Sequence, residues 1–282
     1  MTDSNRDSER FAGRPKAAAV VSVIGFLAVV TANALANALP LNGVGTGTLS
    51  DEIPNLFVPA GPTFSIWGLI YLLLAGYAVA VIAETFGRRN GAAWKRRDGL
   101  FFIVNAAANV AWIFAWHWRQ VPLSLGLMLV ILGTLIALEE RIAPRLAAGG
   151  TLAASGGGGR PRLRRFFLSV PIRVYLGWIL VATIANVTAV LVKLDWKGFG
   201  LYPAIWTILV IAAGLALALF YALGRRAVAT PLVVVWAYAG IVIKRTGIDS
   251  AESAPVWIAA AVAAGLILLA IAAKRLAPRG RA

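Results

Sequence analysis

Cysteine is absent from the 282 residues, which excludes disulfides, thiolate nucleophiles and cysteine-ligated metals. Histidine occurs once, as His117. Beside Trp116 and Trp118 at the end of an apolar run it reads as an interfacial residue rather than a metal ligand or base. Acidic residues number 12, and none falls at the centre of an apolar stretch, so the carboxylate relay of an ion- or proton-coupled pump is missing. The four glycines at 156–159 lack the following Lys-Ser/Thr of a phosphate loop, which argues against nucleotide binding. No catalytic set, no metal site and no required cofactor is visible.

What remains is largely apolar. Hydrophobic residues make up 60% of the chain, charged ones only 14%, and the mean hydropathy is +0.78. About 20 apolar residues cross a bilayer as a helix. Eight stretches meet that length, roughly 17–39, 64–86, 99–118, 121–142, 170–192, 202–223, 227–243 and 254–273. The seventh is the weakest, being short and holding Pro231. Unpaired backbone is too costly in lipid, and no alternating strand pattern appears, so these spans are helices. The expected fold is therefore all-α, a polytopic transmembrane bundle.

A formal charge of +15 would suggest nucleic acid in a soluble protein, but its distribution points to lipid headgroups. The tails and the connections 87–98, 141–169 and 225–226 hold 21 Lys and Arg, and the alternate connections hold 5. This bias predicts a multi-pass protein of the plasma membrane with both termini cytoplasmic. Arg173, inside the fifth span, can snorkel to the cytoplasmic face. Glu84 and Arg88 are spaced for an ion pair, and Glu139 and Glu140 stand beside Arg141. The small residues around Ala34–Ala38 resemble a signal-cleavage site, yet the run is long for a signal, and Asn33 and Asn37 suggest a retained helix face.

Outside the spans, residues 1–16 are polar and read as a disordered tail. The segment 40–63 has no Lys or Arg and is rich in Gly and Pro. It reads either as a solvated connector or, through Leu56, Phe57 and Val58, as a flap over the bundle mouth. Residues 143–169 read as a flexible, basic connection.

Three spans carry polar and aromatic residues at helical spacing. Asn105, Asn109, Trp112 and Trp116 form one stripe. Tyr175, Trp178, Ala182 and Asn186 form a second, and Phe64, Trp67, Tyr71 and Ala75 a third. Buried amides serve either as glue between helices or as glue that also lines a pocket. Trp94, Trp116, Trp118 and Trp196 lie near span ends and read as interfacial belt residues. Trp112 and Trp178 lie too deep for a belt, and a deep indole N–H wants an acceptor. Flat aromatic walls with a few amides suit a large planar apolar ligand.

At these stripes the chain resembles the tryptophan-rich sensory protein family, TspO/MBR, related to the translocator protein or peripheral benzodiazepine receptor. The matching residues are Trp67 and Tyr71 in the second span, Asn109 and Trp112 in the third, and Tyr175, Leu176, Trp178, Ala182 and Asn186 in the fifth. Asn-Ala-Leu-Pro-Leu-Asn-Gly at 37–43, Phe57 to Gly61 and Phe64 to Tyr71 look like a longer bacterial branch of it. The resemblance covers about 17–194 and implies a five-helix core, with 1–16 a tail and 195–282 three additional helices and a basic tail. It further implies a first loop that lids a pocket for porphyrins, sterol-like or drug-like molecules. Trp67, Tyr71, Asn109, Trp112, Tyr175, Trp178, Ala182 and Asn186 would line that pocket, and the ligand would be of porphyrin or haem type. The leading reading is a membrane binding or sensory protein. A small-molecule transporter and a light-dependent porphyrin-degrading enzyme are the alternatives. Expected partners are the lipid bilayer and a small apolar ligand, without nucleic acid; a homodimer is compatible with this reading.

Overall fold

Each apolar stretch folds as a helix in the computed structural model, which describes residues 3–39, 41–87, 93–152, 161–225 and 227–276. The helices are α1 (Asp3–Ala38), α2 (Thr46–Asp51), α3 (Ile66–Phe86), α4 (Arg96–His117), α5 (Val121–Leu152), α6 (Pro161–Lys193), α7 (Pro203–Leu219), α8 (Ala229–Thr246) and α9 (Ser253–Leu276). No strand occurs among the described residues.

Seven helical stretches are long and apolar enough to cross a membrane, one fewer than read from the sequence. The missing one is α8. Pro231 and the terminal Lys244 and Arg245 lower its apolar content. It keeps its place by packing between α6 and α9, where Ala237, Tyr238 and Ile241 are fully buried. Lipid-facing hydropathy matters less for a helix shielded by its neighbours.

Several helices outrun the apolar stretches that announce them. The expected tail at 1–16 is continuous with α1 from Asp3, because a nucleated helix extends at little cost through polar residues that favour it. Likewise α5 runs to Leu152 and α6 starts at Pro161, so most of the expected 143–169 loop is helical. Hydropathy marks what lipid requires, not where backbone hydrogen bonding stops. The glycines at 156–159 lie outside the described residues.

Five helices close a ring by packing in the order α1, α4, α5, α6, α3 and back to α1. Outside it, α8 rests on α6, and α9 joins α8 to α7. Amides stitch the ring. Asn105 Nδ2 donates to Ile131 O at 3.1 Å and Thr134 Oγ1 at 2.9 Å, tying α4 to α5. Asn33 Nδ2 donates to Asn109 Oδ1 at 2.9 Å, and Asn109 Nδ2 to Tyr175 Oη at 2.7 Å, which links α1, α4 and α6. Such bonds between membrane helices contribute roughly 0.6–2 kcal/mol each. Asn37 lies outside the described side chains.

At the basic end, ion pairs join different helices, unlike the local pairs read from spacing. Asp98 is fully buried and accepts from Arg141 at 2.9 Å and Arg145 at 2.5 Å. Arg141 therefore serves α4 rather than its neighbours Glu139 and Glu140. Glu139 pairs with Arg173 at 2.7 Å, so Arg173 is held in the bundle instead of snorkelling. Glu140 pairs with Arg225 at 2.6 Å, and Glu84 with Arg164. Arg88 lies outside the described residues. Asp98, Glu139 and Glu84 are buried carboxylates that draw a partner across the helix interface, where desolvation strengthens the attraction, whereas the Glu140–Arg225 pair is exposed and screened by water.

Candidate functional site: an aromatic cleft beneath a lid

The 41–65 segment folds back over the other end of the ring as a lid. It holds short 3-10 turns at Leu41–Gly43 and Gly61–Ser65 flanking α2. The flap reading of Leu56, Phe57 and Val58 matches this placement, since Phe57 and Val58 are buried.

Three helices fasten the lid, and α6 contributes through Thr188, whose Oγ1 accepts from Asn55 Nδ2 at 2.5 Å. From α4, Trp116 Nε1 donates to Thr46 O at 3.2 Å, and Asn42 Nδ2 donates to His117 O at 2.9 Å. From α8, the buried Arg245 donates Nη2 to Asn55 O at 2.6 Å and Nε to Leu56 O at 3.0 Å. Lys244 pairs with Asp51, Trp236 Nε1 donates to Thr63 O at 2.9 Å, and the Ala60 amide donates to Gly240 O at 3.0 Å. Gly240 is required there, because a Cβ would strike Thr63 Oγ1 and come within 2.9 Å of Pro59 Cβ. Hydrogen bonds from a charged donor are worth about 1.5–3 kcal/mol. Arg245→Ala is expected to loosen this seat and raise amide hydrogen exchange across 53–58 by more than tenfold. Unchanged protection there would mean that the α8 clamp does not hold the lid.

Beneath the lid, α3, α4 and α6 contribute aromatic walls. Trp67 and Trp178 meet edge to face, with centroids 6.2 Å apart and planes at 80°, and Phe64 meets Trp178 at 5.7 Å and 84°. Opposite them, Trp112 and Trp116 stack at 5.9 Å and 14°. Val181, Ala182, Ala185, Asn186 and Ala189 of α6 form the floor, and Thr46, Asn55, Val58 and Pro59 of the lid close the top. Small residues along α6 leave the room that the indoles border. Only about 50 Å³ of that space admits a water-sized sphere. Pockets for drug-sized ligands measure roughly 300–1,000 Å³. In this closed form the cleft holds at most a few waters.

Of the residues singled out in the sequence, Trp67, Trp112, Trp178, Ala182 and Asn186 meet at the cleft. Tyr71, Asn109 and Tyr175 do not line it. Tyr71 stacks behind Trp67 at 5.6 Å and 21°, Tyr175 meets Trp67 at 5.9 Å, and Asn109 is engaged by Asn33 and Tyr175. These three form a layer one helical turn deeper. Asn186 lines the cleft with its amide already engaged, Oδ1 accepting from Ser124 Oγ at 2.9 Å and Nδ2 donating to Ala182 O at 3.0 Å. Three lining residues carry buried polar atoms without a partner among the described residues: Thr46 Oγ1, Trp112 Nε1 and Trp178 Nε1.

Two belt readings are corrected. Trp116 is buried in the cleft wall, and Trp94 is buried with Nε1 on Tyr77 Oη at 3.2 Å. Trp118 and Trp196 are exposed at helix ends, as a belt requires. His117 is also corrected: it is fully buried rather than interfacial. Its Nδ1 lies 2.7 Å from Ile113 O, a carbonyl that only accepts, so Nδ1 carries the proton. The lid residues and Trp116 went unrecognised as lining. Trp116 belongs to the Asn109–Trp112 stripe, and its spacing was the available signal.

Helices with lipid-facing apolar surfaces, closed around an aromatic cleft, define a multi-pass membrane protein of the helical-bundle class. The model of the TSPO-like protein family matches residues 19–273, and the chain belongs to that family. The match runs past the five-helix ring and takes in α7, α8 and most of α9. No curated protein and no solved structure matches the chain.

Proposed function

We propose that the protein binds and senses a planar apolar molecule, tetrapyrrole or sterol-like, between α3, α4 and α6 beneath the lid. The observation that carries this reading is the pair of orphaned indole donors, Trp112 Nε1 and Trp178 Nε1, in one largely apolar cleft. Burying a donor unpaired costs about 1–3 kcal/mol. A flat ligand with an acceptor on its edge would satisfy both indoles while its faces stack on the walls. The cleft must enlarge to admit it, and displacement of the 51–63 segment from α8 is the natural opening. We place the protein in the plasma membrane with both termini cytoplasmic, as the distribution of Lys and Arg supports.

Binding is favoured over transport because the opposite end of the ring is tied by Asp98, Glu139 and their arginines. Titrating the purified protein with protoporphyrin and following tryptophan fluorescence tests the reading. Trp112→Phe and Trp178→Phe keep an aromatic face, though a smaller one, and remove the donor, and each is expected to weaken binding by about tenfold. Saturable binding indifferent to both changes would remove the cleft as the site. Protoporphyrin flux through reconstituted vesicles would favour transport instead.

A further inference from the structure

A second cleft, of about 270 Å³, opens beside the lid and shares only the Ile53 and Trp116 walls with the first. Its apolar side is Trp116, Val121 and Val192, and its polar side is Glu52, Arg119 and Lys193. Two cations thus face one carboxylate. Arg119 stands in the left-handed backbone region, with φ of 56°, which a non-glycine residue adopts at a cost. The surroundings hold it there. Its amide donates to Trp116 O at 3.0 Å, its carbonyl accepts from Lys193 Nζ at 2.8 Å, and its guanidinium grips Glu52 through two bonds of 2.9 Å. Both partners of the Arg119–Glu52 pair are more than a third exposed, so water screens it and a competing anion can displace it.

We propose that this cleft is a distinct site for the head of an amphipathic anion, a carboxylate or phosphate carried on an apolar body. The anion replaces Glu52 on Arg119 and takes Lys193 as a second donor, while the body lies on Trp116, Val121 and Val192. Planar, bidentate recognition of oxyanions is what a fixed guanidinium does well. Glu52 stands at the C-terminus of α2 within the lid, and its carboxylate ties the lid to Arg119, just beyond the end of α4, so its release frees one lid attachment. The inference goes beyond the aromatic cleft and does not need that cleft to be occupied.

The test uses the full chain in neutral maltoside micelles with 1-pyrenebutyrate and its methyl ester, which differ in the charge. Energy transfer from tryptophan to pyrene reports binding. The acid is expected to bind about tenfold more tightly than the ester, and Glu52→Gln to strengthen the acid a few-fold further. Arg119→Gln with Lys193→Gln should bring acid and ester level. Lys193→Gln alone alters an exposed side chain, and its partial loss of the acid's advantage carries the test should the double variant fail to fold. Equal binding of acid and ester by the unaltered protein, or an acid preference that survives the double replacement, overturns the proposal. Repeating the titration in nanodiscs separates the sources of the anion. Displacement of pyrenebutyrate by phosphatidylglycerol but not by phosphatidylcholine assigns the site to a lipid headgroup, and its absence assigns it to a diffusing molecule. Trp178→Phe should weaken protoporphyrin and leave the acid-to-ester ratio unchanged, so failure of one site is distinguishable from failure of the other.

Discussion

Asp98→Ala is expected to destabilise the bundle by about 3–5 kcal/mol, the cost of breaking a buried ion pair from one side. The carboxylate is fully buried and accepts from Arg141, Arg145 and the Lys95 amide at 2.7 Å, and Arg145 also reaches Ala93 O at 3.0 Å. One side chain therefore caps the start of α4 and anchors the far end of α5. Removing it leaves two guanidiniums without their acceptor and a helix N-terminus without its cap, which by itself contributes about 0.5–2 kcal/mol. Asp98→Asn keeps an acceptor oxygen and loses the charge, so its loss should be smaller. Unfolding midpoints in mild detergent for the two variants check the order. Equal, negligible shifts would show that the cluster is solvated in practice and contributes little. The aromatic cleft lies at the other end of the ring, so porphyrin binding by whatever fraction stays folded should be unaltered.

How much of this was legible beforehand depends on the range of the interaction. Periodicity within one helix placed Trp67, Trp112, Trp178, Ala182 and Asn186 on inward faces, because 3.6 residues per turn is a local property. It could not separate glue from lining, and Asn109 and Tyr175 proved to be glue one turn below the cleft. Position along a span misled for Trp116 and Trp94, since a ring near a helix end looks the same whether it meets headgroups, the lid as Trp116 does, or a neighbouring helix as Trp94 does. Contacts between remote segments left no local trace. Arg245 and Asn55 are 190 residues apart, and Arg145 and Asp98 are 47. A charge near a span end reads as topology, and only the packing of α8 against α6 reveals that Lys244 and Arg245 serve the lid.

That packing depends on Gly177, one residue before Trp178, and Gly177→Ala should disturb both stability and the cleft. A Cβ at Gly177 would lie 2.6 Å from Thr230 O, 2.9 Å from Val233 Cβ and 3.2 Å from Thr230 Cα. Two of those three atoms are backbone, so no rotamer change relieves the clash and α8 must move off α6. Thr230 Oγ1, which donates to Arg173 O at 3.0 Å across the same crossing, would be pulled from its acceptor. Overpacking of this kind costs about 1–3 kcal/mol, and close small-residue contact is how helices associate in lipid. The larger consequence is at a distance. Since α8 carries Trp236, Gly240, Lys244 and Arg245, shifting it withdraws several lid attachments together. Gly177→Ala should therefore raise hydrogen exchange across 53–63, a wider stretch than the 53–58 that Arg245→Ala loosens, and weaken protoporphyrin binding although Trp112 and Trp178 are intact. A destabilised protein whose lid stays protected would separate the α6–α8 crossing from control of the cleft. The role assigned to the helices outside the ring would then reduce to support.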